Sequence, residues 1–292
     1  MFNGFQIPSS LVLRAYPKRL LGVRAIPAVL DRPDLDWQVP IEQGALKGVL
    51  YEGDPRHSAI LHFYGAGMSV DREVGRLEWL NRYFEMTVGC LDYGGYGATD
   101  LEWNVETLVE DGVKAFDALE ARQKALRNPY ADSTRIHLQG FSMGAAVAVQ
   151  VALRRPQIAS LILLAPAASW SGLEAAFLAR YPLVRDVARA LRLRVSDSVK
   201  QLFDIEDQIR KVTCPTLIIH GDADQTVPIE QGQRLLLNSG AGTKKLVVAA
   251  KSNHCTLPYN SGIYASALSA WLWSTVSSPK MSAQDLQSLS QL

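Results

Sequence analysis

The sequence predicts an α/β domain built on a mostly parallel, doubly wound sheet. Short runs rich in Val, Ile and Leu alternate along the chain with longer segments whose apolar residues recur at helical spacing. Such apolar runs are typical of strands that crossover helices cover on both faces. The predicted strands are residues 46–51, 59–63, 87–92, 135–139, 160–165, 216–220 and 245–249. The predicted helices between them are residues 71–84, 104–127, 144–154, 230–237 and 264–273.

A hairpin is predicted ahead of these strands. Residues 37–41 and 46–51 both have strand character, and only the segment Glu42-Gln43-Gly44-Ala45 separates them. A short polar connection that contains glycine is typical of a tight turn between antiparallel strands. We therefore expect this hairpin to lead into the sheet.

The composition is that of a globular protein. Of the 292 residues, 48% are apolar and 20% are charged, which is enough to build a sizeable core. The formal net charge of +1 provides no global field to attract nucleic acid, so nucleic-acid binding is not predicted. Three cysteines, Cys90, Cys214 and Cys255, have no C-x-x-C spacing and are predicted to be reduced thiols. With no apolar run of membrane-spanning length and no signal-peptide pattern, the expected location is cytoplasmic.

The chain is predicted to contain one principal domain, residues 35–275. An N-terminal extension, residues 1–34, precedes it, and a polar tail rich in Ser and Gln, residues 276–292, follows. A mainly helical insertion, residues 167–212, interrupts the alternation between the fifth and sixth core strands. This insertion is interpreted either as a small helical cap over the strand ends or as a long crossover.

A serine nucleophile is predicted at Ser142. The segment Gly140-Phe141-Ser142-Met143-Gly144 follows a predicted strand and begins a helix rich in small residues, which is the context of a nucleophile elbow. Glycines two residues to either side allow the strand and the helix to approach closely at this sharp turn. The serine oxygen is then exposed, beside backbone N–H groups that stabilise negative charge.

A serine at neutral pH needs a base within hydrogen-bond reach. Of the five histidines, only His220 and His254 come after Ser142, as the chain order Ser, Asp or Glu, His requires. His220 ends a predicted strand and has no suitable acidic residue between itself and the serine. His254 follows the last predicted strand and is the predicted general base.

The carboxylate that orients this base is expected between the last two strands, where the loop offers Asp222 and Asp224. Asp222 directly follows the strand and is placed to cap the turn through its side chain. Asp224 lies further out, where a carboxylate reaches an imidazole more easily. Spacing alone favours Asp224 and leaves Asp222 open.

Two backbone N–H groups are predicted to stabilise the oxyanion. One belongs to Met143, the residue after the nucleophile. The other is expected from the glycine-rich segment after the second core strand, with Ala66 as the favoured donor and Tyr64 as the weaker alternative. Because position 70 is valine, the Gly65-x-Gly67 pattern does not fit a dinucleotide site. The sequence predicts neither a cofactor nor a metal.

Four ordered strings resemble the α/β-hydrolase superfamily, and within it the Bem46-like branch of serine hydrolases. The resemblance spans most of residues 45–275. The strings are Leu91-Asp92-Tyr93-Gly94-Gly95-Tyr96-Gly97, Gly140-Phe141-Ser142-Met143-Gly144, Cys214-Pro215 and His220-Gly221-x-x-Asp224-x-x-Val227-Pro228. The last string implies that the catalytic acid is Asp224. The sequence departs from the branch at Tyr64-Gly65, where His-Gly is usual, and at Gly94, where arginine is common.

The resemblance implies a serine hydrolase that cleaves a carboxylic ester or thioester through an acyl-enzyme. The alternatives are a peptidase or amidase with the same triad, and a non-catalytic binding protein of this fold. Small acyl compounds are the expected substrates, in a pocket lined by Tyr64, Trp170, Phe177 and Tyr181. Some relatives carry an N-terminal membrane anchor; the basic and apolar residues 9–30 are interpreted as a segment packed on the domain or as a weak peripheral membrane contact.

Overall fold

An eight-stranded sheet forms the centre of the protein in the computed structural model, which describes residues 6–7, 32–126, 136–180, 183, 186, 194–256 and 262–275. Its strands, in chain order, are β2 (Asp36–Ile41), β3 (Gly44–Tyr51), β4 (Ala59–Phe63), β5 (Thr87–Leu91), β6 (Ile136–Phe141), β7 (Ser160–Leu164), β9 (Thr216–Gly221) and β10 (Lys244–Ala249). Two further short strands, β1 (Gln6–Ile7) and β8 (Arg194–Val195), pair in parallel with each other. The predicted strands therefore all form, with ends within two residues of those expected.

Helices connect the strands as the apolar spacing indicated. They are α1 (Val70–Phe84), α2 (Val105–Leu126), α3 (Met143–Arg154), α4 (Trp170–Arg180), α5 (Asp197–Phe203), α6 (Ile229–Asn238) and α7 (Gly262–Thr275). Single turns of 3-10 helix cover Pro33–Leu35 and Ile209–Lys211. Among the described residues, no helix combines the length and the hydropathy needed to cross a bilayer.

The strand order places the functional loops at one point of the sheet. Across the sheet the order is β10-β9-β7-β6-β4-β5-β3-β2. The predicted hairpin forms, with β2 antiparallel to β3 and β3 antiparallel to β5, whereas the remaining pairs are parallel. Because β5 lies on one side of β4 and β6 on the other, the order reverses at β4, and loops after these strands border a crevice where ligands bind in such sheets.

The insertion between β7 and β9 is helical, as expected. It contains α4 and α5, and α5 packs against α2 and α3. The side-chain Oε1 of Gln231, on α6, accepts hydrogen bonds from the backbone N–H groups of Ala168 (3.0 Å) and Ser169 (3.3 Å). The pairing of β1 with β8 joins the N-terminal extension to this insertion, which the sequence did not indicate. Residues 9–30 and the tail 276–292 lie outside the described residues.

Candidate active site

Ser142 occupies a strained turn between β6 and α3. Its backbone angles are φ 53° and ψ −116°, outside the regions of φ and ψ that residues other than glycine normally adopt. The neighbouring glycines explain how this turn is reached. A Cβ atom on Gly140 would lie 2.3 Å from the carbonyl oxygen of Gly144, and one on Gly144 would lie 2.0 Å from that of Phe63. The close approach expected of these glycines is therefore present.

His254 lies beside Ser142 at the carboxyl edge of the sheet. Its Nε2 atom is 3.0 Å from the Ser142 Oγ, and its Nδ1 atom is 2.7 Å from the Asp224 Oδ2. A proton on Nδ1 donates to the carboxylate and leaves Nε2 free to accept the serine proton. The ring also lies over Phe141, with 5.0 Å between ring centroids. The structure thus brings together the serine, histidine and aspartate that were singled out in the sequence.

Asp224 is the carboxylate that reaches the imidazole. Its side chain is fully buried, and Oδ1 accepts hydrogen bonds from the backbone N–H groups of Thr226 (2.9 Å) and Val227 (2.8 Å). The alternative, Asp222, is exposed and accepts a hydrogen bond from the backbone N–H of Lys251 at 2.6 Å. Asp222 therefore joins two loops and leaves the contact with His254 to Asp224.

The surroundings of Asp224 keep it ionised. Burial raises the pKa of this carboxyl, but hydrogen bonds from His220 and His254 and from the backbone outweigh it and hold the pKa well below the ordinary value. A carboxylate that stays charged fixes the tautomer of the imidazole and stabilises the imidazolium that forms when the serine proton is taken.

His220 lies next to the Asp224 carboxylate. It is fully buried at the end of β9, with Nε2 2.8 Å from the carbonyl oxygen of Val227 and 3.5 Å from the Asp224 Oδ2. Since Nε2 must donate to the carbonyl, it presents no lone pair to a serine. His220 shapes the loop that carries Asp224, as its position at the strand end suggested.

Met143, one of the two expected oxyanion donors, directly follows Ser142, and the other, Ala66, follows Gly65, which lies close to the serine. Met143 is the first residue of α3, so its N–H has no acceptor within the helix. A Cβ atom on Gly65 would lie 3.3 Å from the Ser142 Cβ, which places the Tyr64-Gly65-Ala66 segment directly against the serine. Ala66 is partly exposed there. The structure therefore places both segments next to the serine, and the roles of their N–H groups as oxyanion donors stay a prediction.

Tyr64 was expected in the substrate pocket, and the structure places it in the interior instead. Its side chain is fully buried, and its hydroxyl donates to the Asp92 Oδ1 at 3.0 Å. Burial also raises the pKa of this phenol well above its ordinary value. A tyrosine side chain in this position does not line an open pocket, so the pocket prediction was wrong for this residue, while its backbone N–H stays the alternative oxyanion donor.

The other predicted pocket residues belong to the insertion. Trp170 is partly buried, and its ring centroid lies 5.8 Å from that of Phe203 within the same insertion. Its backbone N–H donates to the Asp204 Oδ1 at 2.7 Å, which ties the start of α4 in place. The side chain of Phe177 and all of Tyr181 lie outside the described residues. Their place in the pocket stays a prediction.

A buried polar cluster lies between α1 and the centre of the sheet. The Glu73 Oε2 accepts from the Arg76 guanidinium at 2.9 Å and lies 3.2 Å from the His62 Nε2, and all three side chains are almost fully buried. The His62 Nδ1 is 2.9 Å from the Gln139 Oε1, and the Arg76 guanidinium lies 5.8 Å from the centre of the Phe141 ring. The cluster thus reaches both β6 and the aromatic ring beneath His254.

Comparison with known proteins now assigns the chain to a family. Residues 80–278, more than half of the sequence, match the prolyl oligopeptidase family. The chain belongs to the prolyl oligopeptidase family. Its membership of the α/β-hydrolase superfamily, predicted from the four strings, is confirmed, while the Bem46-like branch continues to rest on those strings.

This member of the prolyl oligopeptidase family aligns with curated relatives over part of its sequence. An uncharacterized protein of Mycobacterium tuberculosis, Rv2307c, is 32% identical over 169 residues, which cover 58% of this chain and 53% of the relative. An uncharacterized peptidase of Bacillus subtilis, YtmA, is 29% identical over 46% of this chain and 51% of its own length. The chain thus spans about half the length of these relatives.

Solved structures confirm the fold. The monoacylglycerol lipase of Paleococcus ferrophilus superposes with a TM-score of 0.59 at 18% identity, over 79% of this chain and 99% of the lipase. Identity at this level supports the shared architecture alone. The predicted α/β-hydrolase fold, with its mostly parallel doubly wound sheet, is therefore confirmed.

Proposed function

We propose that this chain is a serine hydrolase that cleaves a carboxylic ester or thioester through an acyl-enzyme. The observation that carries the proposal is the continuous hydrogen-bond chain from the Ser142 Oγ through His254 to Asp224, with distances of 3.0 and 2.7 Å. Membership of the prolyl oligopeptidase family supports hydrolysis of an acyl compound, the reaction class that esters, thioesters and peptides share. In this assignment Ser142 is the nucleophile, His254 the general base and Asp224 the orienting carboxylate.

The proposed reaction proceeds in two halves. The Ser142 oxygen attacks the carbonyl carbon while its proton passes to the His254 Nε2, and the resulting oxyanion accepts hydrogen bonds from the N–H groups of Met143 and Ala66. Collapse of this intermediate releases the alcohol or thiol, which takes the proton from His254, and leaves the acyl group on Ser142. Water then attacks the acyl-enzyme with His254 as base, which releases the acid and restores the serine.

A peptidase or amidase is the second candidate function. The matched family and the relative YtmA, whose name calls it a peptidase, favour this assignment. Cleavage of esters, of thioesters and of amides would use the same triad. The pocket that binds the acyl group and the leaving group therefore decides which of these substrates is cleaved.

A substrate panel tests both candidates. We would measure hydrolysis of p-nitrophenyl acyl esters, acyl thioesters and aminoacyl p-nitroanilides by the wild-type protein and by Ser142→Ala. The proposal predicts ester or thioester turnover that the variant lacks. Cleavage of the anilides alone would favour the peptidase. Folded wild-type protein that turns over none of these compounds and does not react with a fluorophosphonate would favour the non-catalytic binding protein.

A further inference from the structure

We propose that Asp92 and Tyr64 are positioning residues that hold the oxyanion donor of Ala66 in place. This inference rests on the proposed function, because it concerns the loop that would bind the oxyanion. The loop, residues 64–69, joins β4 to α1 and faces Ser142 through Gly65. It lacks helix and strand, and Gly67 within it has a φ of 74°. Its conformation must therefore be fixed by contacts with other parts of the chain.

A single carboxylate oxygen fastens both ends of this loop. The Asp92 Oδ1 accepts a hydrogen bond from the Tyr64 hydroxyl at 3.0 Å and another from the backbone N–H of Val70 at 2.8 Å. Tyr64 begins the loop and Val70 begins the helix that follows it. Ala66 lies in the short segment between these two fastened points, so the direction of its N–H depends on both.

The carboxylate is itself held firmly. Asp92 is fully buried, and its Oδ2 accepts a hydrogen bond from the backbone N–H of Ala98 at 2.7 Å. Gly97, with a φ of 45°, packs so closely that a Cβ atom there would lie 1.8 Å from the same oxygen. The glycine-rich turn after β5 thus packs against the Asp92 carboxylate and restricts its orientation.

Tyr93 makes two hydrogen bonds with Tyr64. The backbone N–H of Tyr93 donates to the Tyr64 hydroxyl oxygen at 3.1 Å, and the Tyr93 hydroxyl donates to the Tyr64 carbonyl oxygen at 3.0 Å. The two ring centroids are 4.5 Å apart. The Tyr64 hydroxyl therefore accepts one hydrogen bond and donates another, and its removal breaks the bond that joins the start of the loop to Asp92 while the bond at Val70 remains.

Loss of this connection should weaken transition-state binding and spare substrate binding. An oxyanion donor acts on charge that develops during the reaction, and removal of one such donor costs about a hundredfold to a thousandfold in kcat. A donor that is displaced should lose part of that effect. We expect about a tenfold to hundredfold lower kcat in Tyr64→Phe, with KM within about threefold of the wild-type value.

The test compares Tyr64→Phe with Tyr51→Phe, which changes another buried tyrosine, on β3. Activity toward p-nitrophenyl butyrate is normalised to the sites that a fluorophosphonate labels, so that misfolded protein does not count. Inhibition by phenylboronic acid, which forms a tetrahedral adduct with the serine, measures oxyanion binding. The inhibition constant should rise with the loss of kcat in Tyr64→Phe and stay unchanged in Tyr51→Phe.

Equal kcat and inhibition constants in both variants would overturn the inference while leaving the proposed function intact. Wild-type protein that neither turns over the ester nor reacts with the probe would overturn both. If Tyr64→Phe does not fold, Asp92→Asn is the second variant, because an amide nitrogen replaces one of the two carboxylate oxygens that accept hydrogen bonds from Tyr64, Val70 and Ala98. Its kcat should fall and its boronate inhibition constant should rise in the same proportion, and wild-type values for both would contradict the inference.

Discussion

The Nδ1 atom of His254 lies 2.7 Å from the Oδ2 atom of Asp224, although 30 residues separate them in the sequence. Two backbone N–H groups and His220 hold the carboxylate in this position. Asp222, only two residues away, instead accepts a hydrogen bond from the backbone N–H of Lys251, on the loop that carries His254. The two aspartates therefore form a matched pair for testing which of them acts with the imidazole.

Asp224→Asn should lower kcat by about a thousandfold to ten-thousandfold, because the amide favours the wrong imidazole tautomer and loses the charge. Asp222→Asn should change kcat by less than about threefold, since it removes only a contact to a backbone N–H. Steady-state hydrolysis of p-nitrophenyl butyrate measures both. A larger loss of kcat in Asp222→Asn than in Asp224→Asn would contradict this assignment and indicate that Asp222 acts with His254.

Gly144→Ala should destabilise the fold, because the new methyl group would lie 2.0 Å from the carbonyl oxygen of Phe63. We expect a loss of about 3 kcal/mol or more in the free energy of unfolding, measured with urea. Gly75→Ala is the control, since it lies on the exposed side of α1 with nothing within 4 Å of the added atom. It should gain about 0.5–1 kcal/mol. Equal effects would refute the close packing at the elbow.

Asp111 should make stability depend on pH. Burial on α2 raises the pKa of this carboxyl from 3.8 to about 6. The folded protein therefore holds the proton more tightly than the unfolded chain, and the stabilisation that this provides is present below pH 3.8 and is lost as pH rises through about 6. Between these limits the wild-type protein should lose on the order of 2 kcal/mol relative to Asp111→Asn. Urea unfolding of both proteins at several pH values measures the difference, and a constant difference would contradict it.

Glu73→Gln should cost about 3–5 kcal/mol in the free energy of unfolding, because it leaves the buried Arg76 guanidinium without its carboxylate. Glu78→Gln removes the partner of Arg82 from a surface pair on the same helix, where Arg82 is 76% exposed. That change should cost less than about 0.5 kcal/mol. Similar losses in the two variants would show that burial does not govern the strength of these pairs.

The fold and the candidate catalytic side chains were predictable because their signals are local or ordered along the chain. Apolar runs of strand length mark the parallel strands, and loops that follow parallel strands meet at the same edge of the sheet. Chain order then selects His254 after Ser142 without knowledge of the packing. The same reasoning separates Asp224 from Asp222 only weakly, because both lie on one loop.

The orientation of Tyr64 was not predictable from its neighbours. Its hydroxyl turns inward because the Asp92 carboxylate, 28 residues later, lies beneath it. Glu73 and Arg76 likewise have the spacing of an ordinary surface pair on a helix, and only the packing of α1 against His62 buries them. Such contacts depend on tertiary structure, which a local sequence pattern does not encode.

Labelling by a fluorophosphonate probe tests the central claim most directly. The native protein should bind one equivalent of probe, located by mass spectrometry on the peptide that contains Ser142, and Ser142→Ala should bind none. Probe binding requires an activated serine, which the 3.0 Å contact between the Ser142 Oγ and the His254 Nε2 is positioned to provide. Absence of labelling in folded wild-type protein, or equal labelling of Ser142→Ala, would contradict the account.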